Sequence, residues 1–283
     1  MKKWVFLFLL CIGLIYFYIE PVFAPKVDIQ HGVKDEEGNF ENVHLIEVTV
    51  DQIYQGNLLL VNQEYPVRKT SIKSDIVHLH SHPELTKEYG LTNDIQLSQE
   101  IGREFSKMIA AANKEGVRNF TITSGFRGFE EQGMLYKQMG SDYALPAGYS
   151  EHNLGLSLDV GSTQMKMADA PEGKWVEENA WKFGFILRYP KDKTEVTGIQ
   201  YEPWHIRYVG LPHSAIMNEK NMVLEEYLDY LKEEKVISVS MQGENYTIIY
   251  YPITEDTKLE VPRNTHYEIS GNNMDGVIVT VYE

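Results

Sequence analysis

Three stretches hold side chains able to do chemistry together. The first is Ser150-Glu151-His152-Asn153-Leu154-Gly155-Leu156-Ser157-Leu158-Asp159. His152 and Asp159 are an odd number of residues apart, so one unbroken strand would point them to opposite faces. They converge only if the chain bends, and Asn153-Leu154-Gly155 offers a place for that. Taken alone, the pair reads more often as a satisfied core histidine and a strand-end aspartate than as a metal site. The second stretch is Tyr201-Glu202-Pro203-Trp204-His205. His205 offers a third ligand, a neutral imidazole nitrogen of the kind zinc prefers. Pro203 holds Glu202 extended and excludes a helical Glu-x-x-His arrangement. A carboxylate beside a metal can take the proton of an attacking water and return it to a leaving amine. Two histidines, one aspartate and an open fourth position would make a catalytic rather than a closed structural site. The blander reading is a buried turn with Trp204 as an aromatic plug. The third stretch is Ser124-Gly125-Phe126-Arg127, where Arg127 offers a planar fork to a carboxylate or a developing oxyanion. By itself it would read as a surface salt bridge.

His78-Leu79-His80-Ser81-His82 is the densest histidine group among the nine in the chain. Alternation puts all three on one strand face, which looks like a metal site. A surface loop is the better reading, because Pro83 follows and no carboxylate stands at helical or strand spacing close by.

The elements that must position these residues are legible in part. Leu97, Ile101, Phe105, Met108, Ile109 and Ala112 predict a helix over Ser98 to Glu115, with Ser98 as cap and Gly116 as stop. Phe120 to Thr123 reads as a strand running into Ser124-Gly125, and Glu130 to Met139 as a helix. Leu154, Leu156, Leu158 and Val160 alternate as a strand does. Trp175 to Phe183 reads as a helix, Phe185 to Tyr189 as a strand, and Trp204 to Tyr208 as a strand. Ser214 to Lys235 reads as one long amphipathic helix. Leu58 to Val61 is a short strand or a buried arm. After Lys235, alternation in 237–241, 246–251, 267–269 and 277–281 predicts a small β module over residues 236–283.

The composition of the 283 residues, 43% hydrophobic and 24% charged, is that of a globular protein. A net charge of −15 excludes a generic grip on nucleic-acid phosphates. One cysteine excludes an intrachain disulfide and a cysteine-based zinc site. Lys2 and Lys3 precede an apolar run from Trp4 to Ile19, ended by Glu20-Pro21. Residues 1–24 are read as a membrane anchor or signal segment, with the uncleaved anchor preferred because Pro25 would hinder cutting after Ala24. The lysines place the N-terminus inside and the rest outside, so the expectation is a single-pass cell-membrane protein with an extracellular catalytic domain. Residues 25–50, polar and without a period, are read as a linker or stalk, and residues 51–235 as the catalytic domain.

Taken together, the ordered segments Ser124-Gly125-Phe126-Arg127, Gln132, Pro146 to Asp159, Asn179 to Pro190 and Thr197 to Gly210 closely resemble the zinc D-alanyl-D-alanine carboxypeptidases of the VanY type. These belong with the VanX and VanXY enzymes among the LAS metallopeptidases. The resemblance covers about Asn57 to Lys235. It implies an α+β fold, an antiparallel sheet with flanking helices, to which the small C-terminal all-β module is added. It implies that His152, Asp159 and His205 bind one Zn²⁺, that Glu202 is the general base and acid, and that Arg127 stabilises the oxyanion or the substrate carboxylate. Gln132 and Ser150 fall at positions that line the substrate groove in relatives. Phe126-Arg127-Gly128 stands where relatives often read Tyr-Arg-Ser. The implied substrate is a peptidoglycan precursor peptide ending in D-Ala-D-Ala, whose trimming removes the target of glycopeptide antibiotics such as vancomycin.

Two other readings compete. One is a different cut by the same zinc machinery, an endopeptidase or a D,D-dipeptidase. The other is a wall-binding module that holds zinc without turnover, against which Glu202 argues. A penicillin-sensitive serine enzyme lacks its Ser-x-x-Lys in any suitable setting.

Overall fold

The computed structural model describes residues 27–31, 42–140 and 144–283. The expected anchor, residues 1–24, lies outside them. Among the described residues no helix is long and apolar enough to cross a membrane.

The strands are β1 (Val27–His31), β2 (Val43–Val48), β3 (Ile76–His78), β4 (Gly90–Leu91), β5 (Gln96–Ser98), β6 (Phe120–Ser124), β7 (Ser157–Ser162), β8 (Phe185–Leu187), β9 (His205–Tyr208), β10 (Val236–Met241), β11 (Glu244–Pro252), β12 (Thr257–Pro262), β13 (His266–Gly271) and β14 (Gly276–Tyr282). The helices are α1 (Gln99–Lys114), α2 (Phe129–Met139), α3 (Pro171–Asn179), α4 (Thr194–Thr197), α5 (His213–Glu219) and α6 (Leu224–Glu234).

The first five-stranded sheet runs β4-β6-β7-β9-β8. Only the β4–β6 pair is parallel. Helix α1 lays Ile101, Phe105, Met108, Ile109 and Ala112 against this sheet, all fully buried. That i, i+4, i+7, i+8, i+11 stripe is one helix face. The Ser98 hydroxyl caps the helix by accepting the Ile101 N–H, and it donates in turn to Asp75 at 2.9 Å. Phe120, Ile122, Leu158, Val160 and Ile206 complete the core from the strands. Truncating a side chain such as Phe105 to alanine would cost about 3–5 kcal/mol.

The second sheet runs β1-β10-β11-β14-β13 and is antiparallel throughout. The predicted C-terminal β strands are therefore present, but they are joined by the front of the chain. Residues 25–50, expected as a stalk, supply β1, which pairs with β10, and β2, which pairs with β12. Val48 at the end of β2 is wholly buried. The expectation failed because the partners of both strands lie about 200 residues away, where local periodicity has nothing to say. Nor does the tail stand apart. Ile237, Val239, Ile248 and Ile278 share one core with Leu58, Leu60, Ile216, Leu224 and Leu228. Leu58 to Val61 is thus a buried arm rather than a strand, with Leu58 and Leu60 in the core shared with the tail and Leu59 and Val61 in the core of the first sheet.

The predicted helix over Ser214 to Lys235 is two helices. Asn221 takes a left-handed conformation (φ +51°), and the Glu226 carboxylate accepts the Val223 N–H at 3.0 Å to start α6. Met217, Leu224, Leu228 and Leu231 keep helical spacing across the break, which hid it. The strand predicted from Leu154 begins only at Ser157, because Gly155 turns the chain at φ +84°.

Candidate metal centre

Asp159 on β7 and His205 on β9 are direct partners across adjacent interior strands of the first sheet. His205 Nδ1 lies 2.9 Å from Asp159 Oδ1. His152 arrives from the 3₁₀ turn Glu151–Asn153, and the bend expected after it is supplied by Gly155. The left-handed φ there is what calls for glycine, and a Cβ would in addition push aside the movable end of the Ile76 side chain. His152 Nε2 then stands 3.4 Å from Asp159 Oδ1, and the two imidazole rings meet edge to face at 5.0 Å. One ligand atom from each of the three residues lies within 4.8 Å of the others.

The far side of each ring decides which nitrogen is free. His152 Nδ1 is 2.7 Å from the Gly125 carbonyl, which can only accept, so its hydrogen sits there and the Nε2 lone pair faces Asp159. His205 Nε2 faces the Glu151 carboxylate at 3.4 Å and Nδ1 faces Asp159 at 2.9 Å; both carboxylates can only accept, so both nitrogens carry a proton, and a cation that displaces the Nδ1 proton would meet that nitrogen's lone pair beside Asp159. The His152 lone pair, an anionic Asp159 oxygen and a His205 nitrogen whose proton a cation can displace come together, a donor set that fits a divalent cation with nitrogen and oxygen preferences. Gly125 is held in place by close approach. Its neighbour Phe126 donates to the Gln96 carbonyl at 2.6 Å, and any Cβ on Gly125 would collide with that carbonyl.

The electrostatics follow. Burial opposes a charge on Asp159, but His152 and His205 outweigh it and hold the carboxyl well below the usual range. Burial likewise works against the His205 imidazolium, yet hydrogen bonds to Asp159 and Glu151 push that group up to about 9. His152 is shifted down, chiefly by burial. Glu202 is shifted up by burial, with His205 pulling the other way. Asp159 and Arg127 also act on Glu202, so this carboxylate stands beside the centre. Its backbone is pinned between strands: the Glu202 N–H donates to Tyr189 O at 3.0 Å and its carbonyl accepts from His205 N at 3.2 Å.

Arg127 is latched to the same turn. Its N–H donates to His152 O at 3.0 Å, and Asn153 Nδ2 donates to its carbonyl at 2.7 Å. Its Nε is buried without a hydrogen-bond partner, a donor available to a bound anion. Ser150, buried, precedes the 3₁₀ turn. Gln132 is buried on α2, and its amide donates to Leu145 O at 2.6 Å while Oε1 has no protein partner.

Sequence reasoning missed the support behind His205. Glu151, fully buried, accepts from Arg188 Nε at 2.9 Å, from Arg207 Nη1 at 2.9 Å and from Ser157 Oγ at 3.0 Å. Arg188 also forks onto Glu225 at 2.7 and 2.8 Å. Arg207 donates to the carbonyls of Asn57 and Leu59, tying the buried arm to the site. Burial opposes the charge on Glu151, but the two arginines overcome it and keep the carboxylate ionised. One signal was available: strand alternation puts Arg207 on the same face as His205.

Residues 94–211 match the VanY family, described as D-alanyl-D-alanine carboxypeptidase. A D-alanyl-D-alanine carboxypeptidase of Enterococcus faecium is 61% identical over 100% of this chain and 97% of its own length. The bifunctional D-Ala-D-Ala dipeptidase and D-Ala-D-Ala carboxypeptidase VanXYC of Enterococcus gallinarum is 34% identical over 63% of this chain and 96% of its own. The crystal structure of the vancomycin resistance D,D-dipeptidase VanXYg, in complex with a D-Ala-D-Ala phosphinate analog, aligns with a TM-score of 0.75 at 32% identity. That alignment covers 86% of this chain and 100% of that one. With a relative this similar over its whole length, and with the site geometry above, the chain belongs to the VanY family of D-alanyl-D-alanine carboxypeptidases.

Proposed function

We propose that this chain is a zinc-dependent hydrolase that removes the C-terminal D-Ala from peptidoglycan precursor pentapeptides, and so contributes to glycopeptide resistance. The observation that carries the reading is the convergence of His152 Nε2 and His205 Nδ1 on Asp159, with Glu202 alongside. His152, Asp159 and His205 would hold Zn²⁺, which when bound supplies Lewis-acid polarisation of the scissile carbonyl and a more acidic water. Glu202, whose raised proton affinity suits it to accept and return a proton, takes the proton of the attacking water and delivers it to the departing D-Ala amine. Arg127 presents its unpartnered donor to the substrate's carboxylate or to the oxyanion as it forms. Gln132 holds the Leu145 carbonyl and with Ser150 lines the groove.

The test is D-Ala release by the purified chain from a pentapeptide precursor and from free D-Ala-D-Ala, before and after chelation and zinc reloading. Release from the pentapeptide that is abolished by chelation and restored by zinc is expected. Release from the dipeptide alone would move the chain to the D,D-dipeptidases, and indifference to chelation would remove zinc from the reaction. We further propose that residues 1–24 anchor the chain in the cell membrane with the catalytic domain outside, where such precursors are displayed. Recovery of the chain in the soluble fraction of a membrane preparation would reject this.

A further inference from the structure

The histidine-rich stretch set aside for want of a carboxylate gains one from the fold. Strands β3 and β5 pair antiparallel with His78 opposite Gln96. Carried past the strand ends, that register sets Leu79 against Ile95, whose carbonyl accepts the Leu79 N–H at 2.9 Å, and His80 against Asp94. His78 Nδ1 lies 3.0 Å from both carboxylate oxygens of Asp94. His80 Nδ1 lies 2.7 Å from Asp94 Oδ1. The two imidazoles stand nearly perpendicular, their centres 5.7 Å apart. All three side chains are at least half exposed. His82 does not join them, because its Nδ1 is engaged by Glu84 at 2.9 Å.

Two ligand atoms about 2.1 Å from an ion stand about 3.0 Å apart at right angles and about 3.4 Å apart in a tetrahedron. The two nitrogen–oxygen separations, 3.0 and 2.7 Å, are close to the first and reach the second by shifts of about 0.4–0.7 Å, open to side chains in solvent, and the three ligand atoms together lie within 4.8 Å of one another. Two nitrogens and one carboxylate favour zinc, copper or nickel over calcium or magnesium, which take all-oxygen cages. We propose that His78, His80 and Asp94 form a second metal site on the surface, separate from the His152–Asp159–His205 centre. It takes a divalent ion of the zinc class, completed by water. An ion there would clasp the turn after β3 to the segment leading into β5.

The test is equilibrium dialysis of the full-length chain against buffered free Zn²⁺ from about 0.1 to about 100 μM, with bound metal counted by mass spectrometry. The wild type is expected to hold one more zinc per chain than Asp94→Ala or His80→Ala, in which that site weakens at least about tenfold. His82→Ala should match the wild type, and His78→Gln repeats the test with hydrogen bonding partly retained. Because the readout is a difference between isotherms, it does not depend on whether the buried centre takes up zinc. Superimposable isotherms for wild type, Asp94→Ala and His80→Ala would overturn the proposal. So would variants that lose every bound zinc together, since the two sites would then not be separate.

Discussion

His205 at the start of β9 and His213 at the start of α5 are eight residues apart, and both are almost wholly buried, yet they are held in opposite states. His205 faces two carboxylates, Asp159 and Glu151, and is pushed up to about 9. His213 faces two hydroxyls: its Nδ1 is 2.8 Å from Tyr227 Oη and its Nε2 is 3.0 Å from Thr280 Oγ1. Burial pushes it down to about 3. A neutral imidazole has one donor and one acceptor, and His213 spends both on a junction between α5, α6 and β14. The difference teaches that burial alone does not make a histidine chemical. The charge around it does: among the described residues Glu151, Arg188 and Arg207 are buried around the first sheet, whereas the buried polar residues of the tail, Thr247, Asn272, Asn273 and Thr280, carry none.

The sharpest way to break that contrast is at the base. Glu202→Ala should lower turnover by roughly 10²–10⁴-fold while zinc content stays unchanged; steady-state D-Ala release alongside metal analysis measures both. Retained turnover would show that the proton is handled elsewhere.

Next comes the carboxylate behind His205. Glu151→Gln should weaken zinc binding about 10–100-fold, read by competition with a chelating dye. It should also destabilise the fold by about 3–5 kcal/mol, because Arg188 and Arg207 would lose a buried counter-charge. Since a proton competes with a cation for His205, metal uptake should release protons and weaken as pH falls below about 9. Calorimetry in two buffers of different ionisation enthalpy detects the release.

At the junction the effect moves from catalysis to stability. His213→Ala should cost about 2–4 kcal/mol in chemical denaturation and leave zinc affinity alone. The unfolded chain protonates this residue near 6.5 and the folded chain only near 3. The stability that depends on its neutrality is therefore complete above pH 6.5 and is lost progressively as pH falls through that window. Wild-type stability should show that acid-side slope, and the variant should show less of it. The smallest effect is expected from Thr280→Val, about 1–2 kcal/mol for one lost partner, measured the same way.

What the sequence disclosed and what it hid divide along the same line. The stripe of α1 and the alternation of β9 are local patterns and could be read directly. Spacing alone left the His152–Asp159 pair weak, and the three metal-centre candidates could be named together because the ordered motifs around them resemble a known family. Glu151 was given no role from the sequence, since its partners Arg188 and Arg207 are brought to it only by the pairing of β7, β8 and β9. Asp94 was invisible to the histidine-rich stretch for the same reason. The pairing of β1 with β10 and of β2 with β12 joins opposite ends of the chain, which no local signal could report.

That last pairing sets a schedule for synthesis. A ribosome releases Val27–His31 first and its partner Val236–Met241 some two hundred residues later, so the early strand must wait with its backbone groups unpaired. A message cut short before the tail would leave bare the apolar flank of α5 and α6 as well. Premature stops in the last fifth of the gene should therefore yield sticky, protease-prone fragments rather than a trimmed working peptidase.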